Sequence, residues 1–255
     1  MAFLLDPFLF FVSNFKSLFA WFAEYTTLPL VTIFIIGLLV GIIRRDKRIF
    51  YLSIIILAPF SVELFFNKVL YARFMLFYYP YIIIILSFGF FIIFDKFKKF
   101  HNIVLAMLSA ALLIPVFTSF KIITEPTSAK IPHNDSSQYL NDWPAGYGVK
   151  EIVNILQPET KNKKIIVGTE GTFGLYPYVL NVYFFKNENI KINAYWPVNP
   201  ENIPIEILES SKNQKTYFIF NENQKDITNS RLRLIDKFQK GIGNSYMRLY
   251  QITPQ

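Results

Sequence analysis

The chain has 255 residues and a formal net charge of +8, with 26 Lys and Arg against 18 Asp and Glu. It contains no cysteine and only two histidines, which excludes disulfides, thiolate metal sites and a cysteine nucleophile and argues against a histidine metal cluster. Apolar runs crowd residues 1–120, whereas residues 121–255 carry sixteen basic against thirteen acidic side chains. This nearly balanced second part has no basic stripe, so nucleic acid is not an expected partner.

The first 24 residues (1–24) predict an amphipathic helix lying in a membrane interface. Asp6, Ser13, Ser17 and Glu24 follow one another at spacings of seven, four and seven, which places them on one helical face. The intervening residues are mostly Phe and Leu, as is typical of an interfacial helix. The alternative is a fifth, less apolar span.

Four later segments are long and apolar enough to span a bilayer, which requires about 20 mostly apolar residues. Three have no charged residue and one contains a single acid, Glu63. Each such helix satisfies its own backbone hydrogen bonds in lipid. The predicted spans are 25–43, 49–66, 75–94 and 103–120.

The basic residues between these spans predict the orientation, because Lys and Arg concentrate on the cytoplasmic side. Seven flank the first and third connections, against two in the second. Residues 121–255 are therefore expected on the extracytoplasmic face of a plasma membrane. The chain would then also begin outside, which predicts a missing N-terminal portion. The basic residues are Arg44, Arg45, Lys47, Arg48, Lys96, Lys98 and Lys99 in the first and third connections, and Lys68 and Arg73 in the second.

Residues 121–255 alternate between short apolar runs and amphipathic stretches. Such alternation predicts a soluble α/β domain with a mainly parallel sheet. The predicted strands are 164–168, 190–194, 216–220 and 246–252. The predicted helices are 149–158, 172–185, 204–211 and 232–238.

Four residues near the second connection are candidates for a site at the membrane surface. Arg73 can pair with a lipid phosphate through its planar guanidinium, with Lys68 as a second cation, or it can snorkel to ordinary headgroups. Tyr71 is a candidate substrate contact. Glu63 is a candidate because an acid at membrane depth is costly, although an ion pair with Lys68 or Arg73 would also explain it.

The second half offers three candidate contacts for substrate or acceptor. The glycine-rich run 168–174 can serve as an anion-binding strand-to-helix turn or as a tight turn that needs positive φ, and Glu170 within it argues against phosphate. Asp142 and Tyr147 precede the first soluble helix, where Asp142 can touch a ligand or cap the helix and form a turn. No spacing predicts a metal site, and no residue is assigned as catalytic.

The order of these segments along the chain resembles that of a known protein family. A span follows Tyr25-Thr-Thr-Leu-Pro29, and a later one opens with Arg73-Phe-Met-Leu-Phe-Tyr-Tyr-Pro80. An outer domain with Gly146-Tyr-Gly148 and the run Gly168-Thr-Glu-Gly-Thr-Phe-Gly174 comes last. Across most of its length the chain resembles the C-terminal part of prokaryotic GT-C membrane glycosyltransferases, of the protein O-mannosyltransferase and aminoarabinose-transferase type.

The resemblance implies a hexosyl or pentosyl transfer from a polyprenyl-phosphate sugar to an acceptor on the outer face. That sugar lipid would be the donor substrate, no cofactor is implied, and Arg73 would lie close to the lipid phosphate. The family carries its catalytic acid on an early outer loop that this sequence does not match, which predicts a fragment or a truncated paralogue. The alternative is a non-catalytic, membrane-anchored binding or scaffold protein.

Overall fold

The computed structural model describes residue 8 and residues 10–161, 163–171, 174–225 and 227–254. It divides into two compact units, Met1–Asp135 and Ser136–Gln255, here called the first and second units. The boundary was predicted after residue 120. It lies further along because the last long helix continues to Thr124 and the Tyr25 hydroxyl donates a hydrogen bond to the Asp135 carboxylate.

The first unit is helical. Short 3-10 turns at Ala72–Phe77, Lys98–Phe100 and Pro126–Ser128 join or follow its long helices. The long helices are α1 (Phe11–Thr26), α2 (Leu28–Ile43), α3 (Lys47–Phe66), α4 (Tyr79–Lys96) and α5 (His101–Thr124).

Three helices of the described residues are long and apolar enough to cross a membrane: α3, α4 and Lys98–Thr124. The first predicted span, 25–43, differs, because helix α2 begins only at Leu28 and has 16 residues. Together with α1 it forms a pair bent by 108°. If that pair counts as one span, the described residues contain up to four candidate spans.

Helix α1 covers part of the segment 1–24 that was predicted to be an interfacial helix, and Asp6 lies outside the described residues. Ser13 and Glu24 are exposed, whereas Leu18 and Trp21 are buried. The interfacial position of α1 stays a prediction.

Helices α2 and α4 pack closely through facing glycines. A Cβ atom built on Gly37 would lie 2.5 Å from the carbonyl oxygen of Ile85, and one on Gly89 would lie 2.3 Å from that of Ile33. Small residues at such positions let helix backbones approach each other. The α2–α4 contact therefore depends on the absence of side chains at these two positions.

We expect Gly37→Ala to lower the free energy of unfolding by about 1–3 kcal/mol, because the helices must separate to admit the methyl group. Thermal unfolding of the detergent-solubilised chain measures this change. Gly146→Ala is the matched control, since a Cβ there meets nothing within 4 Å. Equal stability of the two variants would contradict the close α2–α4 packing.

The second unit is built on one five-stranded sheet. Helix α6 (His133–Ser136) crosses the boundary between the units, and a π-helical turn follows at Ser137–Asn141. The remaining elements in chain order are α7 (Val149–Glu159), β1 (Ile165–Glu170), α8 (Tyr178–Tyr183), β2 (Ile190–Tyr195), α9 (Ile205–Asn213), β3 (Lys215–Phe220), β4 (Leu232–Gln239) and β5 (Tyr246–Ile252).

The sheet is mixed, with strand order β2-β1-β3-β5-β4. Strand β1 pairs in parallel with β2 and β3, whereas β5 pairs antiparallel with β3 and β4. The prediction of a mainly parallel sheet is therefore wrong for the last two strands. It failed because the segment that forms β4 was expected to be a helix.

A bulge in β4 explains that error. The pairing with β5 shifts between Leu234 and Asp236, so Ile235 is an extra residue. One extra residue reverses the alternation of side chains between the two faces. Leu232 consequently packs on one face of the sheet, and Ile235 and Phe238 pack on the other. The resulting apolar spacing of three imitates a helix.

Helices cover both faces of the sheet. Helices α7 and α8 pack on one face through Ile152, Leu156 and Leu180, and α9 packs on the other through Ile207. Strand β1 is buried along its whole length. Loops at the carboxyl ends of β1, β2 and β3 therefore lie at one edge of a rigid scaffold.

Candidate functional site

The connection between α3 and α4 holds three of the predicted residues. Lys68 and Arg73 are exposed and Tyr71 is half-buried. The Arg73 guanidinium carbon lies 4.2 Å from the centroid of the Tyr71 ring, which is a cation–π distance. Ala72 and Met75 are buried beneath the same turn, so Arg73 projects from an anchored segment.

Glu63 does not form the expected ion pair. The ion pairs within the described residues are Lys98–Asp95 and Lys215–Glu159, and the Glu63 Oε2 atom is buried without a hydrogen bond. The Tyr78 hydroxyl is also buried and lies close enough to the Glu63 carboxylate to interact with it. An acid and a phenol thus lie together near the end of α3.

Asn14 completes this end of α3 and was missed by the sequence reasoning. Its buried amide donates to the carbonyl oxygens of Glu63 at 3.0 Å, Leu64 at 3.1 Å and Asn67 at 2.9 Å. The last carbonyl groups of a helix have no hydrogen-bond donor within the helix. The Asn14 amide supplies the missing donors. A lone polar residue on the buried side of α1 was the available signal.

In the second unit, Glu170 is the last residue of β1, the strand that lies between β2 and β3 in the sheet. Its Oε2 atom accepts hydrogen bonds from the backbone N–H groups of Asn221 at 2.9 Å, Glu222 at 2.7 Å and Asn223 at 2.9 Å. The side chain is 3% exposed. The backbone donors after β3 therefore bind an anion that belongs to the chain itself.

The glycine-rich run fits the tight-turn interpretation. Gly168 lies inside β1, where an added Cβ would come within 2.5 Å of the Phe218 ring. Gly171 and Gly174 have φ of 100° and 88°, values that favour glycine. Thr172 and Phe173 lie outside the described residues. The helix that follows, α8, begins only at Tyr178.

Asp142 forms a turn rather than a helix cap, since Gly148 occupies the N-cap of α7. Its carboxylate accepts hydrogen bonds from the Trp143 N–H at 2.8 Å, the Ser245 hydroxyl at 2.8 Å and the Ser137 hydroxyl at 3.2 Å. The pKa of Asp142 is lowered, chiefly by the Trp143 N–H. The carboxylate therefore stays charged and holds the turn.

Lys240 is a fully buried cation that the sequence reasoning did not single out. Its Nζ donates hydrogen bonds to the Trp143 carbonyl and the Asn221 side-chain oxygen. Burial lowers its pKa to about 8, against the opposing influence of Asp142 and Glu222. The only sequence signal was the neighbouring pair Gly241 and Gly243, because glycines permit two backbone segments to approach closely. Lys240 thereby joins the turn at Trp143 to the loop after β3.

An open depression of about 600 Å³ lies at the carboxyl ends of the parallel strands. In open α/β sheets, ligands bind at this edge where the strand order reverses. Of the predicted contacts in the second unit, Glu170 lines the depression, whereas Asp142 and the half-buried Tyr147 do not. The lining residues are Glu170, Trp196, Pro197, Val198, Glu222, Asn223, Gln224 and Lys225.

The structure therefore brings Arg73 and Tyr71 together in the first unit and makes Glu170 part of an open depression in the second. Comparison of the chain with protein-family models, with curated proteins and with solved structures found no match in any of the three.

Proposed function

We propose that the chain is a multi-pass plasma-membrane protein and the C-terminal portion of a glycosyltransferase that uses a polyprenyl-phosphate sugar. In this proposal α3, α4 and α5 span the bilayer, and α1 with α2 supplies a fourth, bent crossing. Side chains exposed on these helices are large and apolar, among them Ile54, Ile83 and Leu113. Such surfaces are stable in lipid.

The observation that carries the proposal is the anchored turn with Arg73. A guanidinium at the junction of two apolar helices lies at the depth of lipid phosphates, which it can bind through two parallel hydrogen bonds. The aromatic ring of Tyr71 beside it suits the interfacial region. Lys68, exposed in the same connection, adds a second positive charge. The proposal assigns no catalytic acid within the chain.

We expect Arg73→Ala to reduce photolabelling by a polyprenyl-phosphate probe about tenfold, because a hydrogen bond to a charged group contributes about 1.5–3 kcal/mol. The labelling is measured on the full chain in nanodiscs. Arg44→Ala is the matched control, since Arg44 is also an exposed arginine at a helix end. Labelling of Arg73→Ala at the parent level would remove the lipid-phosphate site from the proposal.

A non-catalytic, membrane-anchored binding protein is the second candidate. It is favoured by Glu170, which already satisfies the backbone anion site at the edge of the sheet. A site closed in this way is better suited to presenting a rigid surface than to transferring a charged group. Retained ligand binding by the second unit with no probe labelling of the parent chain would favour this candidate.

A further inference from the structure

The depression at the edge of the sheet has the size and position of a small-molecule site. Its volume of about 600 Å³ falls within the usual range for ligand pockets, about 300–1,000 Å³. It adjoins the ends of β1, β2 and β3, where β1 lies between the other two strands. This is the point in the sheet at which the strand order reverses.

The loop that forms one wall is held from both sides. Glu170 binds its backbone N–H groups, as described above, and Arg248 binds its carbonyls. The Arg248 guanidinium, in a residue 5% exposed, donates to the carbonyl oxygen of Lys225 at 2.7 Å and to that of Asn223. The Gln224 amide donates to the Asn221 carbonyl at 2.8 Å. A wall fixed in this way is preorganised for a ligand.

The opposite wall presents an aromatic surface. Trp196 follows β2 directly and is 56% exposed. An indole combines a large apolar face with little conformational entropy to lose on binding, which makes it an effective binding surface for a ligand that has one apolar face. The C–H face of a pyranose ring is such a surface, and its rim of hydroxyls needs hydrogen-bonding partners.

The polar side chains of the depression supply those partners and set the charge preference. Glu222, Asn223 and Lys225 line it together with Glu170, so two carboxylates oppose one ammonium group. Burial and the neighbouring charge of Glu170 raise the pKa of Glu222. The net negative character disfavours phosphorylated and acidic ligands.

We propose that this depression is a carbohydrate-binding site for neutral or amino sugars, in which the sugar ring stacks on Trp196 and its hydroxyls bind Glu222, Asn223 and Lys225. The site is independent of the transferase proposal, because it does not involve Arg73 or the lipid phosphate. It applies equally to a transferase portion that holds a glycan acceptor and to a membrane-anchored glycan receptor.

The test uses the full chain in phospholipid nanodiscs prepared without glycoside detergents, whose headgroups would compete for the site. Trp21→Phe and Trp143→Phe leave Trp196 as the only tryptophan, since the chain has three. Its fluorescence is titrated with glucose, mannose, galactose, rhamnose, N-acetylglucosamine, glucosamine and glucuronic acid. We expect saturable changes in the millimolar range for at least one neutral or amino sugar, and binding of glucuronic acid at least about tenfold weaker.

Saturation-transfer NMR with the best sugar then compares two variants of the otherwise unchanged chain. Trp196→Leu should lose about tenfold or more in affinity, whereas Tyr178→Leu, which changes another exposed aromatic of the second unit, should bind as the parent does. The proposal is overturned if no sugar in the series binds, if glucuronic acid binds best, or if Trp196→Leu binds normally. Quenching of Trp196 by brominated lipids without any sugar response would likewise overturn it.

Discussion

Glu170→Ala should lower the free energy of unfolding of the second unit by about 4 kcal/mol. The substitution removes the acceptor of three backbone N–H groups in the loop after β3. Leaving a buried donor without a partner costs about 1–3 kcal/mol each, and the loop relaxes to recover part of that cost. A single substitution with so large an effect indicates a buried network rather than a surface charge.

Chemical denaturation of the full chain in detergent measures this loss, with Trp21→Phe as the common background so that the fluorescence reports Trp143 and Trp196 of the second unit. Glu209→Ala is the matched control, because Glu209 is exposed on α9 and its removal should change stability by less than about 0.5 kcal/mol. If Glu170→Ala were as stable as Glu209→Ala, Glu170 would not be the anion that organises the loop.

Lys240 should make the stability of the second unit depend on pH above 8. Its pKa is lowered from 10.5 to about 8 in the folded chain, so between these values only the unfolded chain holds the proton. The free energy of unfolding therefore rises with pH across this window, by about 3 kcal/mol in total at 1.36 kcal/mol per pH unit. Below pH 8 the lysine is charged in both states and adds no slope.

Lys240→Met should abolish this slope, because methionine fills a similar volume without a titrating group. Denaturation of parent and variant at several pH values between 7 and 10 gives the difference, which cancels the contribution of other titrating residues. The ¹³Cε resonance of Lys240, identified by its loss in the variant, should titrate near pH 8. If the stability curves of the two proteins were parallel and that resonance titrated above pH 10, the lowered pKa of Lys240 would be contradicted.

The apolar runs predicted the long helices well, because an uninterrupted hydrophobic stretch of this length has few alternatives. Helices α3, α4 and α5 overlap the predicted spans 49–66, 75–94 and 103–120. Strand β2 was equally evident, since Ile190 and Ile192 alternate with polar residues. Local pattern sufficed wherever one periodicity dominated.

Other features depend on contacts between distant residues and left little local signal. The bulge at Ile235 alters the alternation of β4 only in the presence of β5, so the sequence of β4 by itself resembles a helix. Asn14 and Lys240 are buried because partners about 50 and 100 residues away supply hydrogen bonds. Glu170 was singled out through its glycine-rich turn, whereas no sequence signal distinguishes Trp196 from the many other aromatic residues.

The central proposal is that the helices of the first unit cross a membrane and that the Arg73 turn and the second unit are both on its outer side. The chain has no cysteine, so single-cysteine variants report accessibility directly. Lys68→Cys and Ser230→Cys should react with a membrane-impermeant maleimide on intact cells, whereas Lys47→Cys and Lys99→Cys should react only after permeabilisation. Labelling of all four positions on intact cells, or of Lys47→Cys and Lys99→Cys alone, would contradict this topology.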